Sequence, residues 1–205
     1  MRELLFNHFF KSNPIHYCMI LLINICGEEL HYLEFVQPII DIVKETQALY
    51  IVKHYSQLTP AIIDSADKII ICGTSLHDFE YLNHLEAFDF LKQSGFNKPI
   101  LAICGGMQIL ALQFGCRLGD GQEIGLQSVD FGKKFLEIEG VREVYCLHNK
   151  TIVEDALFKK QFIVNARTKD TQYIQAITHK TKPFYGILFH PEVRNKDLIK
   201  NFVNS

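Results

Sequence analysis

Residues 99–108 read PILAICGGMQ, and this stretch decides the fold. Pro99–Ile103 is a short, continuous apolar run, as expected of a strand buried on both faces. Cys104 follows at once, and CGGMQILALQFG then reads as a helix. So abrupt a change from strand to helix needs small neighbours, which Gly105 and Gly106 supply. A turn of this kind lifts one side chain above the carboxyl edge of a sheet, where open α/β sheets bind ligands. It resembles a nucleophile elbow with Cys in place of Ser. The helix behind it directs its N-terminal N–H groups at the sulfur, which favours thiolate over thiol. A buried Cys closing a tight turn is the competing reading of the same residues.

Working toward the N-terminus, the same alternation recurs. Cys18–Ile25, Leu49–Tyr55 and Lys68–Cys72 read as strands. Leu30, Leu33, Val36, Ile40 and Val43 mark a helix face, with Pro38 predicting a kink or an irregular start. Thr59-Pro60 predicts a capped helix opening. Leu82, Leu85, Phe88 and Leu91 predict a second long helix, stopped at Gly95. Toward the C-terminus, residues 122–190 hold short β-rich stretches, and only the tail after His190 reads as helical again. The expectation is an α/β fold: an open, mostly parallel sheet flanked by helices, of flavodoxin-like order, with a small antiparallel ribbon. Residues 18–205 are expected to form one domain, with 1–17 an N-terminal extension.

Composition narrows the partners. The chain has 205 residues, 48% hydrophobic and 21% charged, the make-up of an ordinary globular domain. Twenty-one basic against 23 acidic residues leave no surplus for a phosphate backbone, so no nucleic-acid ligand is expected. Cys18–Ile23 is far short of the ~20 apolar residues of a membrane span. None of the six cysteines forms a C-x-x-C pair, so a reduced, cytoplasmic chain is expected, with five structural thiols beside Cys104. His77 and His84 lack a third ligand at a supporting spacing, and neither a metal nor a cofactor is expected.

A thiol needs a proton acceptor to act. YGILFHPEV, residues 185–193, offers one, because an apolar strand there ends in His190-Pro191-Glu192. Residues two apart in an extended chain point the same way. Glu192 can therefore hold one imidazole nitrogen while the other faces Cys104. Singly, each motif has a structural reading; together they are far more specific.

These two motifs resemble the class I (Cys-His-Glu) glutamine amidotransferase domain over roughly residues 18–205. ICGGMQ is similar to its Cys-x-Gly-x-Gln elbow and GILFHPEV to its terminal His-Pro-Glu segment. QEIG at 122–125 and the His148-Asn149 pair are similar to segments of GMP-synthase-type members with a standalone glutaminase subunit. The resemblance implies hydrolysis of L-glutamine to glutamate and ammonia through a thioester on Cys104. His190 would act as acid and base, and Glu192 would orient it. Backbone N–H groups at Gly73-Thr74 and Gly105 would hold the oxyanion. Gln108 would contact substrate, and His148 and Asn149 would belong to a substrate or partner loop. No G-x-x-x-x-G-K loop is present, so the resemblance implies that the ammonia passes to a separate synthase subunit.

Three positions depart from that pattern. Thr74 stands where a glycine is usual, Leu147 replaces a hydroxyl residue before His148, and Arg194-Asn195-Lys196 replaces a His-Thr pair. The Thr74 change keeps open two alternatives: a partner-independent γ-glutamyl hydrolase, or a regulatory homologue without catalysis.

Overall fold

The computed structural model describes residues 18–205; the expected extension 1–17 lies outside the described residues. Among the described residues, one nine-stranded sheet runs in the order β2-β1-β3-β4-β9-β8-β7-β5-β6. The strands are β1 (Met19–Asn24), β2 (Leu49–His54), β3 (Lys68–Ile71), β4 (Ile100–Ile103), β5 (Leu118–Phe135), β6 (Ile138–Ile152), β7 (Phe162–Thr168), β8 (Ile174–His179) and β9 (Phe184–Ile187). β2, β1, β3, β4 and β9 are parallel, and the other four join antiparallel. β3 and β4 are buried at every residue, as continuous apolar runs demand.

Alternation along β1 divides the core. Ile20 and Leu22 face one layer with Ile39, Val43, Leu198 and Phe202, which come from helices α2 (Gln37–Glu45) and α6 (Lys196–Asn204). Leu21 and Ile23 face the other layer with Ile63, Phe88, Met107 and Leu110. Ile63 lies on α3 (Pro60–Ser65), capped by the Thr59 hydroxyl, and Met107 and Leu110 on α4 (Gly105–Gln113). Among the described residues no helix is long and apolar enough to cross a membrane.

Four expectations need correction. The helix expected over residues 82–91 is a 3₁₀ helix, Glu80–Lys92, broken at His84, where φ is -132° and ψ 36°. Leu82, Leu85, Phe88 and Leu91 recur every third residue, the repeat that a three-residue turn eclipses on one face. The helix around Pro38 starts irregularly, as expected, but in three pieces: a short turn α1 (Glu29–His31), a π-helical turn Tyr32–Val36, then α2 with Pro38 in its first turn. The ribbon is not small, since β5 and β6 pair from Leu118↔Ile152 to Phe135↔Ile138. Finally, α5 (Ala156–Gln161) interrupts the β-rich half, nucleated by the Asp155 carboxylate, which accepts from Phe158 N–H at 3.0 Å.

Candidate active site

The carboxyl ends of β1, β3, β4 and β9 meet near the β1/β3 switch point, where the strand order reverses. Cys104 sits between β4 and α4 with φ 48° and ψ -107°, a conformation that costs a non-glycine residue about 1–3 kcal/mol. Its N–H donates to Ile187 O at 2.7 Å, and its C=O accepts from Gln108 N–H at 3.1 Å, which starts the helix. The flanking glycines are required by close approach. A Cβ on Gly106 would lie 2.5 Å from Ile71 O, and one on Gly105 would lie 2.8 Å from Ile25 Cδ1. The strain and the packing together fix the thiol at the sheet edge, 4% exposed.

His190 follows β9 and is fully buried. Its Nδ1 lies 2.6 Å from Glu192 Oε1, so this nitrogen carries a proton and donates it to the carboxylate. Nε2 is left buried without a hydrogen bond of full geometry, as is Glu192 Oε2. Burial disfavours the imidazolium, but the Glu192 carboxylate and the Cys104 thiol outweigh it and hold the His190 pKa well above its ordinary value. The Phe35 ring covers the imidazole at 5.1 Å between centroids, and Tyr145 O accepts the His190 N–H at 2.8 Å. The Cys104 thiol donates to Leu147 O at 3.7 Å, so alternate carbonyls of β6 hold base and nucleophile.

Gly73, directly beyond β3, touches both groups. A Cβ there would stand 2.8 Å from His190 Cε1 and 3.3 Å from Cys104 Cβ. Thr74 is buried and not at positive φ, so the backbone here does not demand the glycine that the resemblance led us to expect. Gln108 is also buried, and its side-chain oxygen accepts the Tyr81 hydroxyl at 2.7 Å. A cavity of about 800 Å³ is lined by Gly27, His31, Glu34 and Asp78 together with Phe35 and Leu147, which contact His190 and Cys104 in turn.

His148 lies apart from this group inside the ribbon, buried at 2% exposure. Its Nδ1 is 3.1 Å from Gly121 O and its Nε2 3.1 Å from Glu123 Oε2. Glu123 also accepts from Gln175 Nε2 at 2.6 Å, from the Thr168 hydroxyl at 3.1 Å and from the Thr171 hydroxyl. Cys146 joins this cluster, and its sulfur, a His148 ring nitrogen and a Glu123 oxygen lie within 4.8 Å of one another, close enough to hold a metal ion. Each of those donors already has a protein partner, which argues against an ion there. Asn149 is half-buried beside it. Burial pushes up the pKa of each other thiol: Cys26 to about 12, Cys116 to about 11, and Cys18, Cys72 and Cys146 upward as well.

Phe35, Asp78, Tyr81 and Glu123 escape sequence reasoning. Phe35 and Tyr81 carry the same apolar pattern as any core aromatic, and Asp78 reads as a loop carboxylate. Glu123 lies within QEIG, but nothing local marks it as the centre of a buried network.

Comparison with known proteins speaks to the family and the fold. The family model for glutamine amidotransferase class-I matches residues 31–204. The glutamine-hydrolyzing GMP synthase subunit of Methanosarcina barkeri is 28% identical over 192 residues, covering 90% of this chain and 94% of that protein. Its counterpart in Thermoplasma volcanium is 26% identical over 153 residues, covering 69% and 72%. A Thermoplasma acidophilum crystal structure, provisionally assigned as the same GMP synthase subunit, superposes with a TM-score of 0.79 at 24% identity, covering 92% of this chain and 94% of that one. A Thermotoga maritima glutamine amidotransferase gives 0.65 at 20% identity, covering 92% and 82%; both likenesses speak to the fold.

Proposed function

Because the chain belongs to the class I glutamine amidotransferases, we propose that it hydrolyses L-glutamine to glutamate and ammonia with Cys104, His190 and Glu192 as its catalytic group. The observation that carries this reading is the buried His190: one nitrogen is held at 2.6 Å by Glu192, and the other is left without a full hydrogen bond in contact range of the strained Cys104.

Proton transfer from Cys104 to His190 Nε2 gives a thiolate facing an imidazolium that Glu192 stabilises. The thiolate attacks the side-chain amide carbon, and the oxyanion takes backbone N–H groups of the Gly73-Thr74 segment and Gly105. His190 returns its proton to the amide nitrogen, the C–N bond breaks, and ammonia leaves. Water then attacks the thioester while His190 Nε2 takes its proton. The C–S bond breaks, glutamate departs and Cys104 is regenerated. Gln108 contacts the substrate from the first turn of α4 once Tyr81 yields its amide oxygen, and His148, bonded to Glu123, braces the β6 segment that faces the site.

The matched relatives are named as glutamine-hydrolyzing subunits of a GMP synthase. We therefore assign the ammonia to a separate synthase subunit of that type, in the cytoplasm, where six unpaired thiols persist. The test is labelling with a glutamine-directed diazo-ketone, with ammonia release measured with and without the synthase subunit. Labelling confined to Cys104, and no ammonia from Cys104→Ala, is the expected result. Turnover of γ-glutamyl compounds without turnover of glutamine would overturn the assignment.

A further inference from the structure

The departure at position 74 has a structural counterpart. The Thr74 hydroxyl, buried, donates to Asp78 Oδ2 at 2.6 Å. The same oxygen accepts from Gly27 N–H at 2.9 Å and lies 3.0 Å from His31 Nδ1. One carboxylate oxygen thus ties the loop after β1, the turn α1 and the loop after β3 into a single knot. Burial pushes the Asp78 carboxyl up, but the bonds from Thr74, Gly27 and His31 outweigh it and hold its pKa below the usual carboxylate range, so it stays ionised as an acceptor.

The knot lies one peptide from the chemistry. Gly73 is pressed against both His190 and Cys104, and the next residue is the anchored Thr74. Any slack at Thr74 therefore reaches the Gly73-Thr74 peptide, whose N–H we assign to the oxyanion. Glycine at 74 would leave that peptide free to rotate; threonine at ordinary φ, tied through its side chain, does not.

We propose that Asp78 is a positioning residue for glutamine hydrolysis, fixing the Gly73-Thr74 peptide against Cys104 through the Thr74 hydroxyl. This rests on the glutaminase reading above. Its weight falls on the transition state, because the peptide it holds serves the oxyanion and not the ground-state substrate.

The test compares kcat and KM of Thr74→Val, Thr74→Ser and Asp78→Asn in the full chain with its synthase subunit, with thermal unfolding followed in parallel. Thr74→Val, equal in shape without the hydroxyl, should lose roughly 10- to 100-fold in kcat, as expected for a mispositioned catalytic group. KM should stay within about twofold, and Thr74→Ser should recover most of the lost kcat, as an interaction made in the transition state requires. Asp78→Asn should fall with Thr74→Val; if it does not fold, the Val/Ser pair decides. Wild-type kcat in Thr74→Val, no recovery in Thr74→Ser, or a change confined to KM would each overturn the proposal. Failure of the glutaminase reading has a different signature, since the wild-type chain would then release no ammonia from glutamine at all.

Discussion

Gly73→Ala tests the site without removing any catalytic group. The new Cβ would lie 2.8 Å from His190 Cε1 and 3.3 Å from Cys104 Cβ. Carbon atoms rest at about 3.5–4.0 Å, so something must move by roughly 0.7 Å. His190 has little room: it is fully buried, held at 2.6 Å by Glu192, backed by Phe35 and pinned at its N–H by Tyr145 O. If Gly73 recoils instead, the oxyanion peptide moves with it. Both outcomes spoil the alignment of base, nucleophile and donor, and a displacement near 1 Å can cost about 100-fold. We expect kcat to fall by roughly 10- to 100-fold while stability drops by only about 1–2 kcal/mol, the range of a single overpacked methyl. Gly106→Ala provides the contrast, since its Cβ meets the Ile71 backbone at 2.5 Å and the fold itself should fail. Gly95→Ala is the control, with nothing within 4 Å of the added carbon. The assay is glutamate release at saturating glutamine, paired with thermal unfolding of each variant. A Gly73→Ala enzyme with wild-type kcat, or one whose loss merely follows its unfolded fraction, refutes the reasoning.

Three further outcomes follow from the same contacts. Glu192→Gln removes the charge that most raises His190, so kcat should fall by at least about 100-fold, and the limb of the pH profile governed by His190 should move to lower pH; an unmoved limb refutes the role of Glu192. His179 is pushed down in pKa, by burial first and then by Lys182, while its Nδ1 accepts from the N–H groups of Thr181 and Lys182. Its neutral form therefore contributes stability above the unfolded value near 6.5, lost as pH falls toward its lower folded value; thermal midpoints from about pH 8 to about pH 5 should show a slope that His179→Gln flattens. Lys68 Nζ donates to the Phe202 and Val203 carbonyls at 2.9 Å each and reaches Ser205, closing the C-terminus of α6. Lys68→Met should cost about 1–3 kcal/mol in denaturant unfolding with kcat unchanged; a smaller loss would mean that water replaces the ammonium as donor.

What the sequence made legible was local. The strand, the Cys104 elbow and the helix are contiguous, and each obeys a short-range rule: buried apolar run, small neighbours, helical start. His190 and Glu192 lie two residues apart, within reach of the same extended-chain geometry. Where the reading failed, the deciding contact was distant or the periodicity had two interpretations. A three-residue spacing suits both an α-helical face and a 3₁₀ turn, and only packing around Tyr81, Phe88 and Leu91 chooses between them. The setting of Thr74 is likewise distant: its hydroxyl bonds Asp78, which also accepts from Gly27 N–H, 51 residues from Asp78, and neither partner carries a signal in the string of residues.

The chain builds the same three residue types together twice, and the two sets differ in how far their polar atoms are satisfied. In the ribbon, both ring nitrogens of His148 face acceptors, Glu123 receives Gln175, Thr168 and Thr171 besides, and the Cys146 sulfur lies 3.6 Å from Gln175 Oε1. Cys146 stands within the regular strand β6, with burial holding its pKa far above that of a free thiol. Every polar atom there is committed, so the cluster can stiffen β6 but has no capacity left for a reaction. At the sheet edge the set is incomplete: Glu192 Oε2 is buried without a hydrogen bond, His190 Nε2 has Cys104 in range but no hydrogen bond of full geometry, and Cys104 is held in a strained turn. Leaving such groups unsatisfied costs about 1–3 kcal/mol each, which a fold bears only where something else completes the set. The two clusters are also mechanically joined, because β6 presents Tyr145 O to His190, Leu147 O to Cys104 and His148 to Glu123. The satisfied cluster thus holds rigid the strand against which the unsatisfied one is poised.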